Sequence, residues 1–328
     1  MTDLSRPAPR MFEGFIESPR VWTNADVTEE RWRLPIPAVA LDELDVVIKF
    51  LRVNPLDPRL LSLDDFVLPA CSALMQKVKT LLDTDLGVVV LDRLPVESYS
   101  KDELIAAYWL LSSMIARPVA QAFDGCVLYD VRDTGKTTDT RVRSDITGAE
   151  LFWHSDYGFN FPPPYIGLLA LRIAREGGVS SAASMLTVHN LLQRRAPHLL
   201  GRLYQPFHVN RQGEHPEGDP VTHFYPIFTY DGNSLNARFN KRLVYKGYEL
   251  AGERIDAVGA EALEAMHNLM SEPENHFSFE LAAGQLQYMN NFGIAHRRTK
   301  YEDYDEPDKK RHLVRIFLRD SGHRTYMG

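Results

Sequence analysis

Two separated segments carry the residues that most restrict how this chain folds. The first contains the triplet His154-Ser155-Asp156, and the second contains His296 followed by Arg311 and Arg315. In an extended strand, residues two apart project from the same face, so His154 and Asp156 are predicted to reach one metal ion together. The third ligand must come from elsewhere in the chain. If all of these residues serve one site, they fix much of the fold.

Two histidines and one carboxylate form a ligand set with a characteristic chemistry. On one face of an octahedron they make the arrangement of non-heme Fe(II) oxygenases, and they leave three coordination positions open. A 2-oxo acid fills two of these positions through its carboxylate and keto oxygens, which leaves one for O2. A lone His-x-Asp triplet is common by chance, and a histidine beside apolar residues is usually structural. The second segment therefore carries the argument.

Residues 311–319 are predicted to form a strand with two different faces. One face alternates arginine with large apolar residues: Arg311, Leu313, Arg315, Phe317 and Arg319. The other face is mostly apolar and suits a core: His312, Val314, Ile316 and Leu318. A buried arginine needs a partner, and a dicarboxylate matches a planar guanidinium bidentately. The alternative, a solvent-facing strand with solvated arginines, fits the spacing equally well.

These segments resemble the taurine dioxygenase/TfdA-like family of Fe(II)- and 2-oxoglutarate-dependent oxygenases. The resemblance runs from about Asp139 to the C-terminus, more than half of the chain. It rests on the order and spacing of five blocks, at residues 152–156, 175–180, 284–286, 291–299 and 311–318. Each block alone is a weak signal, whereas the five in this order are specific.

The resemblance implies a role for each matching position. The residues that match the Fe(II) ligands, and form the expected catalytic set, are His154, Asp156 and His296. Arg311 matches the arginine that grips the far carboxylate of 2-oxoglutarate. Ser180 stands where the family usually has threonine and keeps the hydroxyl that bonds the same carboxylate, with Ser181 as the alternative. O2 is the second cosubstrate, and succinate and CO2 are the expected products.

The substrate is predicted only as a class. Arg315 matches a second arginine that lies near the metal and contacts the cofactor or an acidic substrate. This position favours an amino acid, another carboxylate or sulfonate, or a secondary metabolite. Asn290 and Phe152 are further candidates for the substrate pocket. Asp156 argues against halogenation, because halogenating relatives have a small residue there, and favours hydroxylation, with desaturation or ring chemistry as alternatives.

The fold expected from this family is mainly β with flanking helices (α+β), built on a double-stranded β-helix, or jelly roll. One domain is expected over residues 1–328. It would comprise an N-terminal arm at 1–35, an α/β flank at about 36–125 and the jelly-roll core with insertions at about 126–328.

Local patterns add several predicted elements. Helices are predicted from Asp42, over 69–82, from the capping box Ser100-Lys-Asp-Glu103, over 187–196 and over 252–271. A buried strand is predicted over 86–92, and a hairpin is predicted to turn at Asp231-Gly232. The polar segment 130–147 is predicted to be either a lid over the substrate or an ordinary solvated loop.

Composition is consistent with a soluble enzyme. The 328 residues carry a formal net charge of −7, which gives no indication of nucleic-acid binding. Cys71 and Cys126 are too few for a disulfide framework, and no apolar run is long enough to cross a bilayer. The N-terminus has no apolar core of a signal peptide. We therefore expect a cytoplasmic enzyme with a small-molecule substrate and no nucleic-acid or membrane partner; a homo-oligomer stays open.

Two interpretations from other functional classes also stay open. A barrel of the same family would bind a small molecule without turnover, but the complete ligand set argues against it. A zinc hydrolase would use the same three ligands with a water molecule. It would leave Arg311 unexplained.

Overall fold

The computed structural model describes residues 10–135 and 147–324. Its helices are α1 (Glu29–Trp32), α2 (Ala38–Val53), α3 (Pro69–Thr84), α4 (Lys101–Ser113), α5 (Met185–Arg195), α6 (Pro197–Leu203), α7 (Lys241–Ala251) and α8 (Ala257–Ser271). Its first strands are β1 (Arg33–Pro35), β2 (Val88–Asp92), β3 (Pro118–Val119), β4 (Leu128–Val131), β5 (Leu151–His154), β6 (Tyr165–Arg172), β7 (Glu176–Gly177), β8 (Ser180–Ser184) and β9 (Phe207–Asn210). The others are β10 (Thr222–Tyr225), β11 (Phe228–Tyr230), β12 (Leu235–Ala237), β13 (His276–Phe279), β14 (Leu286–Asn290), β15 (Ile294–Arg298), β16 (Tyr301–Glu302) and β17 (His312–Leu318).

Two sheets dominate the described part of the chain. The larger sheet has seven strands in the order β1-β2-β14-β6-β17-β3, with β4 also paired to β17. It is mixed, because β1 pairs parallel with β2 while the other neighbours pair antiparallel. The smaller sheet has the order β13-β8-β15-β5, and its pairs are antiparallel. Mixed sheets with flanking helices confirm the expected fold class at this coarser level.

The helices cover different parts of the sheets. Helices α3 and α4 pack against one face of the larger sheet, α2 packs on α3 and α4, and all three share one apolar cluster with the sheet. Helices α5, α6 and α8 pack together in a second apolar cluster, which also includes residues of the smaller sheet. The other face of the larger sheet remains for contact with the smaller sheet. Residues from both sheets line a cavity there.

Strand β17 has the two faces that its sequence predicts. Val314, Ile316 and Leu318 belong to the cluster with α2, α3 and α4. Arg315 lies on the opposite face and lines the cavity between the sheets, as does Arg311, the residue just before the strand. Both are only 8% exposed, so the alternative of a solvent-facing strand is wrong.

The N-terminal helices agree with the sequence patterns. Helix α2 contains the stripe predicted to follow Asp42, and α3 begins at Pro69, where proline needs no intrahelical hydrogen bond. The Ser100 hydroxyl accepts from the Glu103 amide, and the Glu103 carboxylate accepts from the Ser100 amide, so the capping box is present. Strand β1 extends the larger sheet into what was predicted to be the end of the N-terminal arm.

One predicted helix boundary is wrong. The helix expected from Gly252 begins at Ala257, where the Asp256 side chain accepts from the Gly259 amide. Gly252 instead ends α7, a helix that the sequence analysis did not predict. Its φ of 69° is left-handed, the conformation in which glycine commonly terminates a helix.

Three further expectations concern the lid segment, the cysteines and membrane-spanning helices. Of the predicted lid segment 130–147, residues 136–146 lie outside the described residues, so the lid stays a prediction. Cys71 and Cys126 are both free. Among the described residues, no helix combines the length and hydrophobicity that a membrane crossing requires.

Candidate active site

Three side chains meet between the two sheets. His154 ends β5 and stands opposite His296 of β15 in the antiparallel ladder. The Nε2 atoms of His154 and His296 lie 3.2 and 3.6 Å from Oδ1 of Asp156. The candidate ligand atoms of these three residues all lie within 4.8 Å of one another. The predicted ligand set is therefore brought together, although its two parts are far apart in the chain.

Asp156 reaches this cluster through a turn and not along a strand. Strand β5 ends at His154, and the Ser155 amide then donates to the Phe239 carbonyl at 2.7 Å. The Ser155 hydroxyl accepts from the Phe239 amide at 3.0 Å. Tyr157 adopts a φ of +57°, which is uncommon for a residue other than glycine. The same-face argument from the sequence thus predicted the right proximity from the wrong local geometry.

Asn291 holds the backbone of the Asp156 turn. Its Oδ1 accepts from the Asp156 amide at 2.8 Å, and its Nδ2 donates to the Asp156 carbonyl at 2.9 Å. The same Nδ2 donates to the Pro163 carbonyl at 3.0 Å. The side chain is 2% exposed. One buried amide therefore fixes the position of the carboxylate without touching it.

Burial and neighbouring charges shift the pKa values of Asp156 and His296 in the direction that favours metal binding. Burial alone would raise the pKa of Asp156, but the Arg315 guanidinium and both histidines hold it below its usual range. Burial and the neighbouring His154 lower the pKa of His296 to about 3. His154 Nδ1 lies 2.8 Å from the Phe152 carbonyl, which only accepts, so Nδ1 carries the proton and Nε2 is left as the ligand atom.

The donor set fits a divalent transition metal. It offers two imidazole nitrogens and one carboxylate, the ligand types of the non-heme Fe(II) facial triad. Neighbouring ligands on one octahedral face lie roughly 3 Å apart when bonds are about 2.1 Å. The contacts to Asp156 Oδ1 are close to this spacing. Small side-chain movements therefore suffice for all three to bind one ion.

Arg315 lies beside the second oxygen of the same carboxylate. Its Nη1 is 3.3 Å from Asp156 Oδ2, and its Nε donates to Gln121 Oε1 at 2.8 Å. Gln121 Nε2 in turn donates to the Arg315 carbonyl at 3.0 Å. Gln121 is fully buried, and no sequence motif marked it. Arg315 is thus near the three candidate metal ligands, as predicted, and its orientation is fixed.

Arg311 lines an inner pocket that lies between the sheets and also contains His154 and His296. Its guanidinium lies 4.9 Å from the centre of the Tyr301 ring. Within the described residues, its Nη1 is buried and has no hydrogen-bond partner. Burial lowers the pKa of Arg311, and the nearby Tyr301 and Asp303 offset this only in part. A carboxylate entering this pocket would satisfy the guanidinium.

Both candidate serines border the inner pocket. The Ser181 hydroxyl lies 2.8 Å from the Ser278 hydroxyl and accepts from Arg297 Nε at 3.3 Å. Ser180 stands opposite Arg298 in the ladder, on the strand face that carries His296. Ser180 therefore stays the better candidate for a contact to the far end of a cosubstrate.

An outer pocket adjoins the other side of the three candidate metal ligands. Its lining includes His154, Asp156 and Arg315, together with an apolar and polar set that includes Phe152, Tyr157, Phe159, Gln212 and Arg242. Phe152 is 57% exposed and stands at this pocket, where the sequence analysis expected it. The outer pocket is the space in which a substrate would lie beside the metal.

Asn290 does not face either pocket, which corrects its prediction as a substrate contact. Its amide donates to the Leu82 carbonyl at 3.2 Å and accepts from the Phe292 amide at 3.1 Å. Gln287 and Met289 of the same strand line the inner pocket. Side chains alternate along β14, so Asn290 points towards the helices instead.

Two polar residues of the outer pocket were missed by sequence reasoning. Gln212 adopts a left-handed φ of 54° and follows Arg211, whose Nε donates to Asn160 Oδ1 at 3.0 Å. Arg242 is the second residue of α7, the unpredicted helix. Nothing in the sequence indicated that Arg242 lines a pocket, because its helix was not predicted. The polar, glycine-containing segment after β9, which includes Gln212, was at least typical of a loop.

Comparison with known proteins agrees with this arrangement. The family described as "Taurine catabolism dioxygenase TauD, TfdA family" matches residues 52–317. FR-33289 synthase of Streptomyces rubellomurinus is 30% identical over 242 residues, which cover 72% of this chain and 70% of that protein.

Two solved structures have a similar fold. Asparagine oxygenase, crystallised with Fe(II), 2S,3S-3-hydroxyasparagine and succinate, matches with a TM-score of 0.67 at 16% identity and covers 88% of this chain and 93% of its own. The non-heme iron oxygenase OrfP, crystallised with Fe and alpha-ketoglutaric acid, matches with a TM-score of 0.65 at 14% identity and covers 88% and 94%.

The Asn291 contacts generate a prediction about metal binding. Asn291→Ala removes the hydrogen bonds that position the Asp156 backbone, so we expect Fe(II) affinity to fall roughly 10- to 100-fold. Anaerobic calorimetric titration measures this directly. Asn290→Ala is the matched control, because it removes a neighbouring buried amide that faces the helices and should leave Fe(II) affinity near that of the unmodified protein. Equal losses in both variants would contradict the positioning role.

Proposed function

Because this chain belongs to the TauD/TfdA family of dioxygenases, which confirms the family predicted from its sequence, we propose that it hydroxylates a small organic substrate with Fe(II), 2-oxoglutarate and O2. The observation that carries this proposal is the cluster of His154, Asp156 and His296 next to Arg311, whose buried Nη1 has no hydrogen-bond partner among the described residues. The substrate C–H becomes C–OH, 2-oxoglutarate becomes succinate and CO2, and the two atoms of O2 end in the hydroxyl and in succinate.

The chain's own residues would bind and orient the reactants. Bound Fe(II) would supply the redox chemistry that activates O2. The Arg315 contact holds Oδ2 of Asp156, which leaves Oδ1 directed at the two imidazoles. Arg311 and Ser180 would hold the far carboxylate of 2-oxoglutarate in the inner pocket, where the surrounding sheets exclude water. The outer pocket would hold the substrate on the adjoining side.

This assignment accounts for features that the other two interpretations leave aside. A zinc hydrolase has no use for a buried cation behind the metal, whereas a 2-oxo dicarboxylate needs one. A non-catalytic barrel would not require a complete set of three ligands held within reach of one ion. The buried Arg311 and the intact cluster therefore favour an oxygenase over both.

For the fold, we propose a double-stranded β-helix in a single domain over residues 1–328. The proposed divisions are an arm at 1–35, an α/β flank at about 36–125 and the core with insertions at about 126–328. A seven-stranded and a four-stranded sheet with three candidate metal ligands between them support this description. The solved structures that share the fold also support it.

For the substrate, we propose an amino acid or another small carboxylate or sulfonate in the outer pocket. The similar asparagine oxygenase was crystallised with a hydroxylated amino acid. In the pocket, Phe152 and Phe159 offer apolar walls, while Gln212 offers an amide. Arg315 is already oriented by Asp156 and Gln121, and Arg242 adds a second cation to the lining. An anionic group on the substrate would be attracted to this end of the pocket.

The three candidate metal ligands provide the primary test of function. Anaerobic addition of Fe(II) and 2-oxoglutarate should produce a weak visible charge-transfer band, and O2 should then yield succinate. His154→Ala and Asp156→Ala should lose both signals, because each removes a ligand. His198→Ala, which changes an exposed histidine away from the cluster, should retain them. Full turnover in either ligand variant would overturn the assignment.

The cosubstrate site generates a separate test. Arg311→Met should raise the KM for 2-oxoglutarate by at least about 30-fold, because a buried carboxylate would lose its charged partner. Steady-state succinate formation measures the change. Lys310→Met removes a positive charge from the exposed neighbouring residue and should leave KM almost unchanged. A similar KM in both variants would place the far carboxylate elsewhere.

The substrate proposal is tested with pairs of compounds that differ only in charge, such as amino acids and their carboxamides. Anionic members should stimulate succinate release, and Arg242→Met should weaken that stimulation about tenfold by raising the substrate KM. Lys241→Met is the control, since Lys241 pairs with Glu264 at 2.8 Å and does not line the pocket. Stimulation by neutral compounds alone would refute an anionic substrate, while leaving the reaction class intact.

A further inference from the structure

Helix α2 exposes an apolar stripe on the side opposite the protein core. Its buried residues, Ala40, Leu44, Val47, Ile48 and Leu51, pack into the cluster with α3 and α4. Its exposed apolar residues are Val39 (62% exposed), Val46 (68%), Phe50 (46%) and Val53 (76%). At 100° per residue, these four side chains fall within an arc of about 60°, so they share one side of the helix.

The stripe continues beyond the helix. Leu56, Leu60 and Val67 follow α2 in the chain and are 49%, 70% and 90% exposed. Phe66, next to Val67, contacts the Phe50 ring at a centroid distance of 6.1 Å, which brings this segment beside the helix. Scattered apolar residues on a surface are ordinary, but a contiguous apolar surface usually marks an interaction site.

We propose that the α2 stripe, defined as Val39, Val46, Phe50 and Val53, is the interface of a symmetric dimer with a second copy of this chain. The stripe is nearly symmetric about Val46, because Val39 and Val53 stand seven residues to either side. Two copies packed antiparallel around a two-fold axis near Val46 would place Val39 of each copy against the partner's Val53. The same patch then serves both subunits, as an isologous interface requires.

The charges beside the stripe are complementary in this arrangement. Asp42 and Lys49 are exposed and lie on the same flank of the stripe, at about −60° and −80° from Val39. A two-fold axis perpendicular to the helices keeps that flank on the same side in both copies. With a rise of 1.5 Å per residue, Asp42 then lies within roughly 2 Å, along the helix axis, of the partner's Lys49. The arrangement forms this attractive pair twice.

Among the described residues, the intrasubunit ion pair that involves one of these two charges is weak. Lys49 Nζ lies 3.5 Å from Asp45 Oδ2, but both side chains are solvent-exposed, and such pairs contribute little. Asp45 already accepts from the Tyr99 hydroxyl at 2.7 Å, so it is anchored to its own subunit. Lys49 can therefore turn towards a partner at little cost.

Sedimentation velocity over a range of protein concentrations tests the proposal. The unmodified chain should dimerise in a concentration-dependent manner. Val46→Glu should weaken the dimer at least about 100-fold, because it brings two carboxylates together at the two-fold axis. Val258→Glu is the matched control: it changes another exposed helical valine, on α8, and should leave the dimer unchanged. Thermal melts of both variants show that each still folds.

A charge exchange tests the orientation. Asp42→Lys and Lys49→Glu should each weaken the dimer, and the double variant should recover most of the loss, because opposite charges then face each other again. A chain that is monomeric at every concentration would overturn the proposal. So would a dimer that Val46→Glu does not weaken. Dimerisation without recovery in the double variant would overturn the antiparallel arrangement.

Discussion

The contact between Asp156 and Arg315 is the interaction on which the site depends. Each group is buried, and a lone charge at that depth would be expensive, so each requires the other. Asp156 comes from the turn after β5 of the smaller sheet, and Arg315 comes from the middle of β17 in the larger sheet. Pairing them therefore fixes where the two sheets approach each other. The position of the three candidate metal ligands follows from the way the two sheets approach each other.

Support for this pair comes from residues that never touch the metal. Gln121 binds both the side chain and the backbone of Arg315, and Asn291 binds the backbone of Asp156 on both sides. Neutral amides suit this purpose, since they donate and accept without adding charge to a buried site. The geometry of the metal ligands is thus held by hydrogen bonds from residues that would not themselves contact a bound ion.

The parts of the structure that the sequence predicted are those that local patterns encode. Strand β17 alternates in period two, so its arginine face and apolar face were readable from the chain alone. The capping box at Ser100 and the helices around it also follow local rules. The ligand set needed more, because nothing local links His154 to His296. Only the order of several blocks, matched to a known family, connected them.

The parts that were missed depend on three-dimensional context. Asn290 and Asn291 are adjacent amides, but β14 ends between them. Asn290 therefore faces the helices, while Asn291 reaches the turn that carries Asp156. A rule of alternation cannot specify where a strand stops. Gly252 was predicted to begin a helix, but it ends the preceding one. Whether a glycine begins or ends a helix depends on the residues before it. Gln121 acquires its importance solely from Arg315, which lies far along the chain.

Arg311 also links the stability of the protein to its chemistry. In the absence of an anion, the chain folds around a cation whose Nη1 has no partner within the described residues, and this costs part of its free energy of unfolding. A ligand that binds only the folded state stabilises it in proportion to the logarithm of its concentration. A dicarboxylate that pairs with Arg311 would therefore act as a structural component as well as a reactant. The lifetime of the folded enzyme would then follow the metabolic supply of its cosubstrate.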